Sequence, residues 1–479
     1  MTVAVVGGGV AGLVVARDLA AAGRSVVVLE ASERLGGTVA SHEVAGLTLD
    51  SGAESFATRT TAVADLLADL GLAGDVVTPD PAGAWLQLAD RAVRLPATGV
   101  LGIPGRAWAP DVRDVVGPAG AARAALDRVL PGAWGTTPGT SLGALVRARM
   151  GRRVHDRLVA PVVRGVHSAD PDDLDAEIAG LRPDARRRGS LAAAAAAARA
   201  AAPAGSAVAG IRGGMHRLVS ALVDDAVLHG ADVRTGAPVL GLARDTDGWL
   251  LAVGRPGTPP GAPRETVRAD AVVLAVPGTV LGRLLADTLP GALPGPAPRP
   301  RPRIVLATLV VQAPALDGAP RGTGVLVADG APAAAPVSAR ALTHATAKWA
   351  WLAEAAGPGR HVVRLSYGPA ASVGGLPMGA VPMPQLTDRA REDAARLLGV
   401  TLRPDAVLGS ARTVWPGGMP PAGPVQRQWH AVVEEAAAAA GGLRVTGAWT
   451  AGTGLASVVA HARRVATDIL SWSDPTTGP

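Results

Sequence analysis

Apolar residues fill positions 2–6, recur with helical spacing over 10–22, and fill 25–30. The pattern predicts a buried strand, a helix closed at Gly23, and a second buried strand. Together these make a βαβ unit of about 30 residues. Helical spacing returns at roughly 60–75, ending near Gly71, and 84–96 alternates like a hairpin that stops at Pro96. From about 107 to 200 the pattern is mostly helical, as in an inserted subdomain. Its most apolar stretch, LAAAAAAARAAAPAG from Leu191, is nearly all alanine and contains Arg199 and Pro203. It reads as a surface helix and a linker, and no uninterrupted run has the length of a membrane span. Residues 213–233 read as a helix leading to a strand, and 237–254 as two strands around an Asp247-Gly248 turn. Another buried strand is expected in 269–278, then a Pro-rich linker or crossover at 289–303. Strands follow at 304–312 and 361–368, and the chain closes with a strand in GLRVTGAW and a helix in GLASVVAHARRVATDIL. There is no regular internal repeat.

Composition narrows the picture only a little. At 479 residues and 48% hydrophobic, the chain has material for two or three domains. The net charge of +6 is mild and almost all arginine, since Lys348 is the only lysine. With no dense basic stripe carrying interleaved aromatics, nucleic acid is not an expected partner, whereas an anionic substrate or membrane surface fits. The absence of cysteine excludes disulfides, thiolate metal sites and a cysteinyl-linked flavin, and suits the cytosol. The histidines have no ligand spacing, so no metal is expected. The apolar start lacks the basic region of a signal peptide.

The candidate chemistry begins in the first unit. Gly7, Gly9 and Gly12 match G-x-G-x-x-G between a strand and a helix. Gly7 permits the tight turn, Gly9 lets backbone approach a pyrophosphate, and Gly12 lets the helix pack closely on the sheet. The helix N-terminus offers N–H groups to the phosphate. Glu30 ends the second strand, where a carboxylate can accept hydrogen bonds from ribose hydroxyls. On this motif alone NAD and FAD are equal candidates.

The next stretch, ASERLGG, with Arg34, Gly36 and Gly37, resembles the R-x-G-G extension of flavoproteins in the amine-oxidase and phytoene-desaturase superfamily. Near the other end, VTGAWTAGTGLASVVAHARR places Gly447, Gly452 and Gly454 before a helix whose N-terminus can face a flavin. Both features favour FAD.

Five further segments recur in order: LPATGVLGIPG, LVAPVVRGVHSADPDDLDAE, RRRGSLAAA, GIRGGMHRLVSAL and ATAKW. In these, over nearly its whole length, the chain resembles the oxygen-dependent protoporphyrinogen/coproporphyrinogen oxidase family. The resemblance implies an α/β fold: a Rossmann-type FAD-binding domain (1–75, 205–290 and 410–479), a mixed α+β substrate domain (76–106 and 291–409) and a helical subdomain (107–204). It implies FAD contacts at Gly9, Val10, Ala11, Gly12, Leu13, Glu30, Ala31 and Thr38. Gly52, Ala53, Glu54 and Ser55, the backbone of Val239, Trp415, and Gly452, Thr453, Gly454 and Leu455 would complete the site. It also implies oxidation of a porphyrinogen, coproporphyrinogen III before protoporphyrinogen IX, by hydride transfer to flavin N5, with O2 reduced to H2O2 in haem biosynthesis. No acid–base pair is essential to such a reaction, and no catalytic residue is assigned.

A tetrapyrrole pocket is expected near GTGVLV and ATAKW, with Leu326, Thr346 and Lys348 as candidates. Lys348 reads either as a propionate ligand or as a solvated surface charge. His344 and His461 read as packing histidines, and Arg186, Arg187 and Arg188 as a solvated face. Peripheral contact with the inner membrane surface and partnership with haem-pathway enzymes stay open. Departures from the family at 416–426, His344 and His461 put substrate and activity in question more than fold. Two alternatives stay open: another flavin oxidoreductase, an amine oxidase or carotenoid-type desaturase, and a non-catalytic FAD- or porphyrin-binding protein.

Overall fold

Valine, alanine and leucine cover both faces of the strand Thr2–Val6, as a central strand of a parallel sheet requires. The structure, a computed structural model, describes residues 1–96, 99–167, 169–201, 207–255, 257, 265–295, 303–329, 337–415, 424–452 and 454–472. Thr2–Val6 is the middle strand of a five-stranded sheet in the order Asp232–Arg234, Ser25–Leu29, Thr2–Val6, Ala271–Leu274, Leu443–Val445, and every pairing is parallel. One face packs against the helices Val10–Ala21, Ala62–Asp69, His216–Leu228 and Leu455–Ser471. The other packs against a three-stranded antiparallel meander (Val239–Asp245, Gly248–Val253, Glu265–Ala269) and the helices Gly278–Thr288 and Pro424–Ala439. The predicted helix and strands of these segments form, with Gly23 at φ +78 just past the first helix, but the hairpin turn falls one residue earlier than expected, at Thr246-Asp247, with Gly248 paired to Asp245 in the ladder.

A second sheet has seven strands in the order Val407–Trp415, Ile304–Gln312, Arg360–Tyr367, Ala341–His344, Gly324–Val327, Ala84–Gln87, Ala92–Arg94. Its pairings are antiparallel except that Gly324–Val327 runs parallel to Ala84–Gln87. Alternation sorts the strand Arg360–Tyr367 by face. Val363, Leu365 and Tyr367 enter the core under the helix Met383–Leu398, and Arg364 points the other way.

The region 110–200 is helical, with its own core around Val112, Leu145, Val159 and Leu191. Inside it lies an ion pair with both side chains fully buried: Arg149 Nε donates to Asp127 Oδ1 at 2.5 Å. Asp127 also accepts from Ser190 Oγ and the N–H groups of Leu191 and Ala192, capping the helix Leu191–Ala200. That helix corrects the expectation of a surface helix. Leu191, Ala192, Ala194 and Ala195 are buried, because alanine is small enough to let the helix backbone close on its neighbours. Arg186, Arg187 and Arg188 are exposed, as expected. The expected linkers fall partly outside the described residues, at 202–206 and 296–302. No helix among the described residues is long and apolar enough to cross a membrane.

Candidate active site

The parallel sheet places the C-terminal ends of its strands on one edge, and three of those ends meet there. A Cβ on Gly7 would lie 2.4 Å from Ala275 O, and one on Gly447 4.0 Å from Ala275 C. The chain winds from Thr2–Val6 first to one side and later to the other, so this edge is the switch point where an open α/β sheet binds its ligand. Both Val10–Ala21 and Leu455–Ser471 begin at this edge. Neither has a side-chain cap or an acid in its first turn, so each directs N–H groups and partial positive charge outward.

The glycines divide into two kinds. Gly12 is a packing glycine, since its Cβ would be 1.9 Å from Gly7 O. Gly9, at the start of the helix, would meet nothing nearer than Gly37 Cα at 4.0 Å. Gly452 and Gly454, at φ +83 and +108, would meet nothing within 4 Å. Open space therefore stands in front of both helix starts. The strip after Glu30 closes one side: Gly36 N–H donates to Gly8 O at 2.8 Å, and Arg34 Nη1 to Gly37 O at 3.1 Å.

Glu30 is already engaged. Its Oε2 accepts from Gly8 N–H at 2.7 Å, and its Oε1 from Ser32 N–H at 2.9 Å. The Ser32 hydroxyl also donates to Oε1 at 2.7 Å, and a carboxylate with about four acceptor sites still has room at Oε2 for a ribose hydroxyl. Ala31 is exposed beside it. Val239 is 5% exposed and begins its strand two residues after Ala237, whose N–H donates to Glu30 O. The meander thus reaches the same rim. Leu13 is fully buried, and Val10 and Ala11 nearly so, so those three offer backbone only.

A second wall comes from 50–55. Ala53 N–H donates to Thr38 O at 3.1 Å, and a Cβ on Gly52 would fall 1.9 Å from Thr38 O and 2.9 Å from the Trp415 ring. Trp415 carries the Arg34 guanidinium 5.6 Å from its centroid. Ser55 is half-buried. The Glu54 carboxylate joins two cations from elsewhere, Lys348 Nζ at 2.5 Å and Arg364 Nη2 at 2.8 Å. Burial raises the Glu54 pKa, but the two cations outweigh it and hold the group down to about 2. Thr453 and 416–423 lie outside the described residues.

The residues fit FAD: two uncapped helix starts, open space at glycines, and a rim from Glu30 to Val239 on the same sheet edge. The sequence pattern of the flavin-containing amine oxidoreductases matches residues 10–470. The chain belongs to that family. A coproporphyrinogen III oxidase of Mycobacterium tuberculosis is 30% identical over 482 residues, covering 98% of this chain and 97% of its own. One from Mycobacterium leprae is 32% identical over 434 residues, 88% of each chain. A solved structure from Exiguobacterium, provisionally named a protoporphyrinogen oxidase, superposes with a TM-score of 0.79 at 23% identity over 98% of both chains, a likeness of fold. This flavin-containing amine oxidoreductase is an FAD-dependent oxidase with the expected α/β architecture.

The three substrate candidates lie on the strand Gly324–Val327 and on the short helix Ala345–Lys348 that follows its partner strand. Leu326 stays half-buried on its strand against the helix Ala160–His167, where a Cβ on Gly165 would be 2.4 Å from Leu326 Cδ2. Thr346 is buried, its Oγ1 3.2 Å from His361 Nδ1, so it is occupied in packing. Lys348 is not a solvated charge: its side chain is 17% exposed and its ammonium pairs with Glu54. The pairing corrects the reading of a surface charge, which the sequence invited because 294 residues separate the partners and no local pattern marks them. Arg364, which sequence reasoning missed, has one available signal: a charge on the strand HVVRLSY where the flanking alternate positions are apolar.

His461 is satisfied by neighbours, whereas His344 has a partner only at Nε2. His461 Nδ1 meets Thr446 Oγ1 at 2.9 Å and its Nε2 meets Glu434 at 3.0 Å. Among the described residues no cluster of His, Asp and Glu has metal-binding form. His344 is fully buried 3.0 Å from His361, and burial, assisted by His361, pushes it down to about 4. The unfolded chain takes a proton near pH 6.5 and the folded protein only near 4. Its share of stability is therefore complete above pH 6.5 and lost as pH falls from there to 4. The shift corresponds to roughly 3 kcal/mol. Urea unfolding at pH 4.5 and 7.5 should show a smaller pH difference for His344→Phe than for wild type, and equal differences would refute the assignment.

Proposed function

We propose that this oxidase converts a porphyrinogen to the porphyrin in haem biosynthesis, with coproporphyrinogen III as the preferred substrate. The observation that carries the reading is the match to coproporphyrinogen III oxidases over 98% of the chain, including both segments that build the cradle. We assign 1–75, 205–290 and 410–479 to FAD binding, 76–106 and 291–409 to substrate binding, and 107–204 to the helical subdomain, in keeping with the separate cores.

Bound FAD supplies a hydride acceptor at N5, and O2 carries the electrons away as H2O2. The chain's part is positional. The N–H groups of Val10 to Gly12 would take the pyrophosphate, Glu30 the ribose hydroxyls, and Val239 backbone would lie beside adenine. The segment Gly52–Ser55, Trp415 and the start of the last helix would border the flavin, and the dipole of that helix favours negative charge at its N-terminus. Removing six hydrogens takes three turnovers with three O2. The macrocycle needs orientation and carboxylate binding, for which guanidinium groups are suited.

The test is direct. Purified holoenzyme mixed with coproporphyrinogen III under air should give porphyrin fluorescence and three H2O2 per macrocycle. Anaerobically the substrate should bleach the flavin once. Bleaching by amines or polyenes instead would assign the chain to another branch of the family, and bleaching by none of these would leave a binding protein.

A further inference from the structure

Glu54, Arg364 and Lys348 put two cations on one carboxylate, so one positive charge is left over. The side chains are only 14%, 14% and 17% exposed, and a charge so placed is poorly screened. Among the described residues no second carboxylate is ion-paired with either cation. The Asp50 carboxylate is taken by the N–H groups of Met215 and His216 and by His216 Nδ1. His42, which also faces Arg364, has its protonated form disfavoured by burial and by that guanidinium. The trio also joins two parts of the molecule. Arg364 comes from the seven-stranded sheet and Lys348 from the short helix Ala345–Lys348 beside it, and Arg364 Nη1 donates to Gly52 O at 2.9 Å and Asp50 O at 3.3 Å. One guanidinium therefore ties both the backbone and the carboxylate of 50–55, the segment whose Gly52 abuts Thr38 and Trp415.

We propose that Arg364 and Lys348 are positioning residues acting through Glu54: they fix the 50–55 segment on the cofactor cradle, and their surplus charge makes bound FAD easier to reduce. The inference rests on the reading that Gly52–Ser55 borders FAD. Its physical basis is that reduction adds negative charge to the cofactor, and a fixed cation in a weakly screened place favours that state.

The two roles separate by experiment. Midpoint potentials of holoenzyme variants, measured anaerobically against redox dyes, should follow the charge sum. Arg364→Met and Lys348→Met abolish the surplus and should lower the potential. Glu54→Gln doubles it and should raise the potential. Glu54→Gln combined with Lys348→Met restores a single surplus cation and should return near wild type, an outcome that general loosening of the fold does not produce. Arg364→Lys keeps the charge but loses the fork that grips Gly52 O and Glu54 together. It should hold the potential while weakening FAD binding about tenfold, read by fluorescence titration. The near-isosteric Glu54→Gln keeps the test valid if a methionine variant fails to fold. Potentials that ignore the charge sum overturn this inference alone, and a wild-type protein that takes up no FAD overturns both it and the cofactor contacts it rests on.

Discussion

Gly12→Val should give a protein that takes up no FAD and unfolds well below wild type, whereas Gly9→Ala should fold normally and bind FAD weakly. The two glycines are three residues apart, but they face different things. A Cβ at Gly12 would sit 1.9 Å from Gly7 O, and that oxygen cannot retreat. Gly7 is fixed by its own N–H to Leu29 O at 2.9 Å, by φ +104, and by the approach of Ala275. The helix cannot retreat either, because Val10 to Ala16 are buried against the sheet and the last helix. Such overpacking costs about 3 kcal/mol, and it displaces the helix start that meets the cofactor. Gly9 has an ordinary φ of −72 and open space ahead, so a methyl group there costs the fold nothing and occupies the cofactor's place. Thermal denaturation and the flavin-to-protein absorbance ratio separate the pair. A yellow Gly12→Val protein with wild-type melting would refute the packing argument.

Arg149→Met should destabilise the helical region by about 3–5 kcal/mol while leaving FAD affinity unchanged. The substitution leaves the Asp127 carboxylate buried without its cation and removes guanidinium donors from the carbonyls of Pro131, Trp134, Asp127 and Gly189. Asp127 alone would have to keep capping Leu191–Ala200. Asp127→Leu added to Arg149→Met should recover part of the loss, because the unpaired charge goes with it. Urea titration followed by far-UV circular dichroism reads the first effect, and flavin fluorescence of the folded protein reads the second. Equal urea midpoints for Arg149→Met and wild type would show the pair to be dispensable.

These two cases mark what the chain reveals to a reader. The Gly12 site was legible because the motif is local: strand, turn and helix lie in one stretch, and the glycines have separate geometric duties. Glu30 and the closing helix were legible for the same reason. The Asp127–Arg149 pair was not, since its partners stand 22 residues apart in a helical region where either could face water. Alanine misled in the same region, because the stretch from Leu191 looks too weakly apolar to be core yet packs closely. Lys348 misled in the opposite sense, a lone lysine whose partner lies 294 residues away. Local pattern fixes which elements form. Which charged groups meet is decided by the order of strands in the two sheets, and hydropathy does not encode that order.

The parallel sheet takes its strands from positions 2, 25, 232, 271 and 443 of the chain. During synthesis, its first two strands therefore wait more than two hundred residues for their neighbours Asp232–Arg234 and Ala271–Leu274, and the outer strand Leu443–Val445 leaves the ribosome last. The helical region, whose contacts are nearer in sequence, can settle well before that. An interrupted chain lacking the final forty residues would emerge with the sheet's outer strand and last helix absent and valine-rich surface exposed, so translation arrest late in the message should yield aggregates rather than a smaller working enzyme.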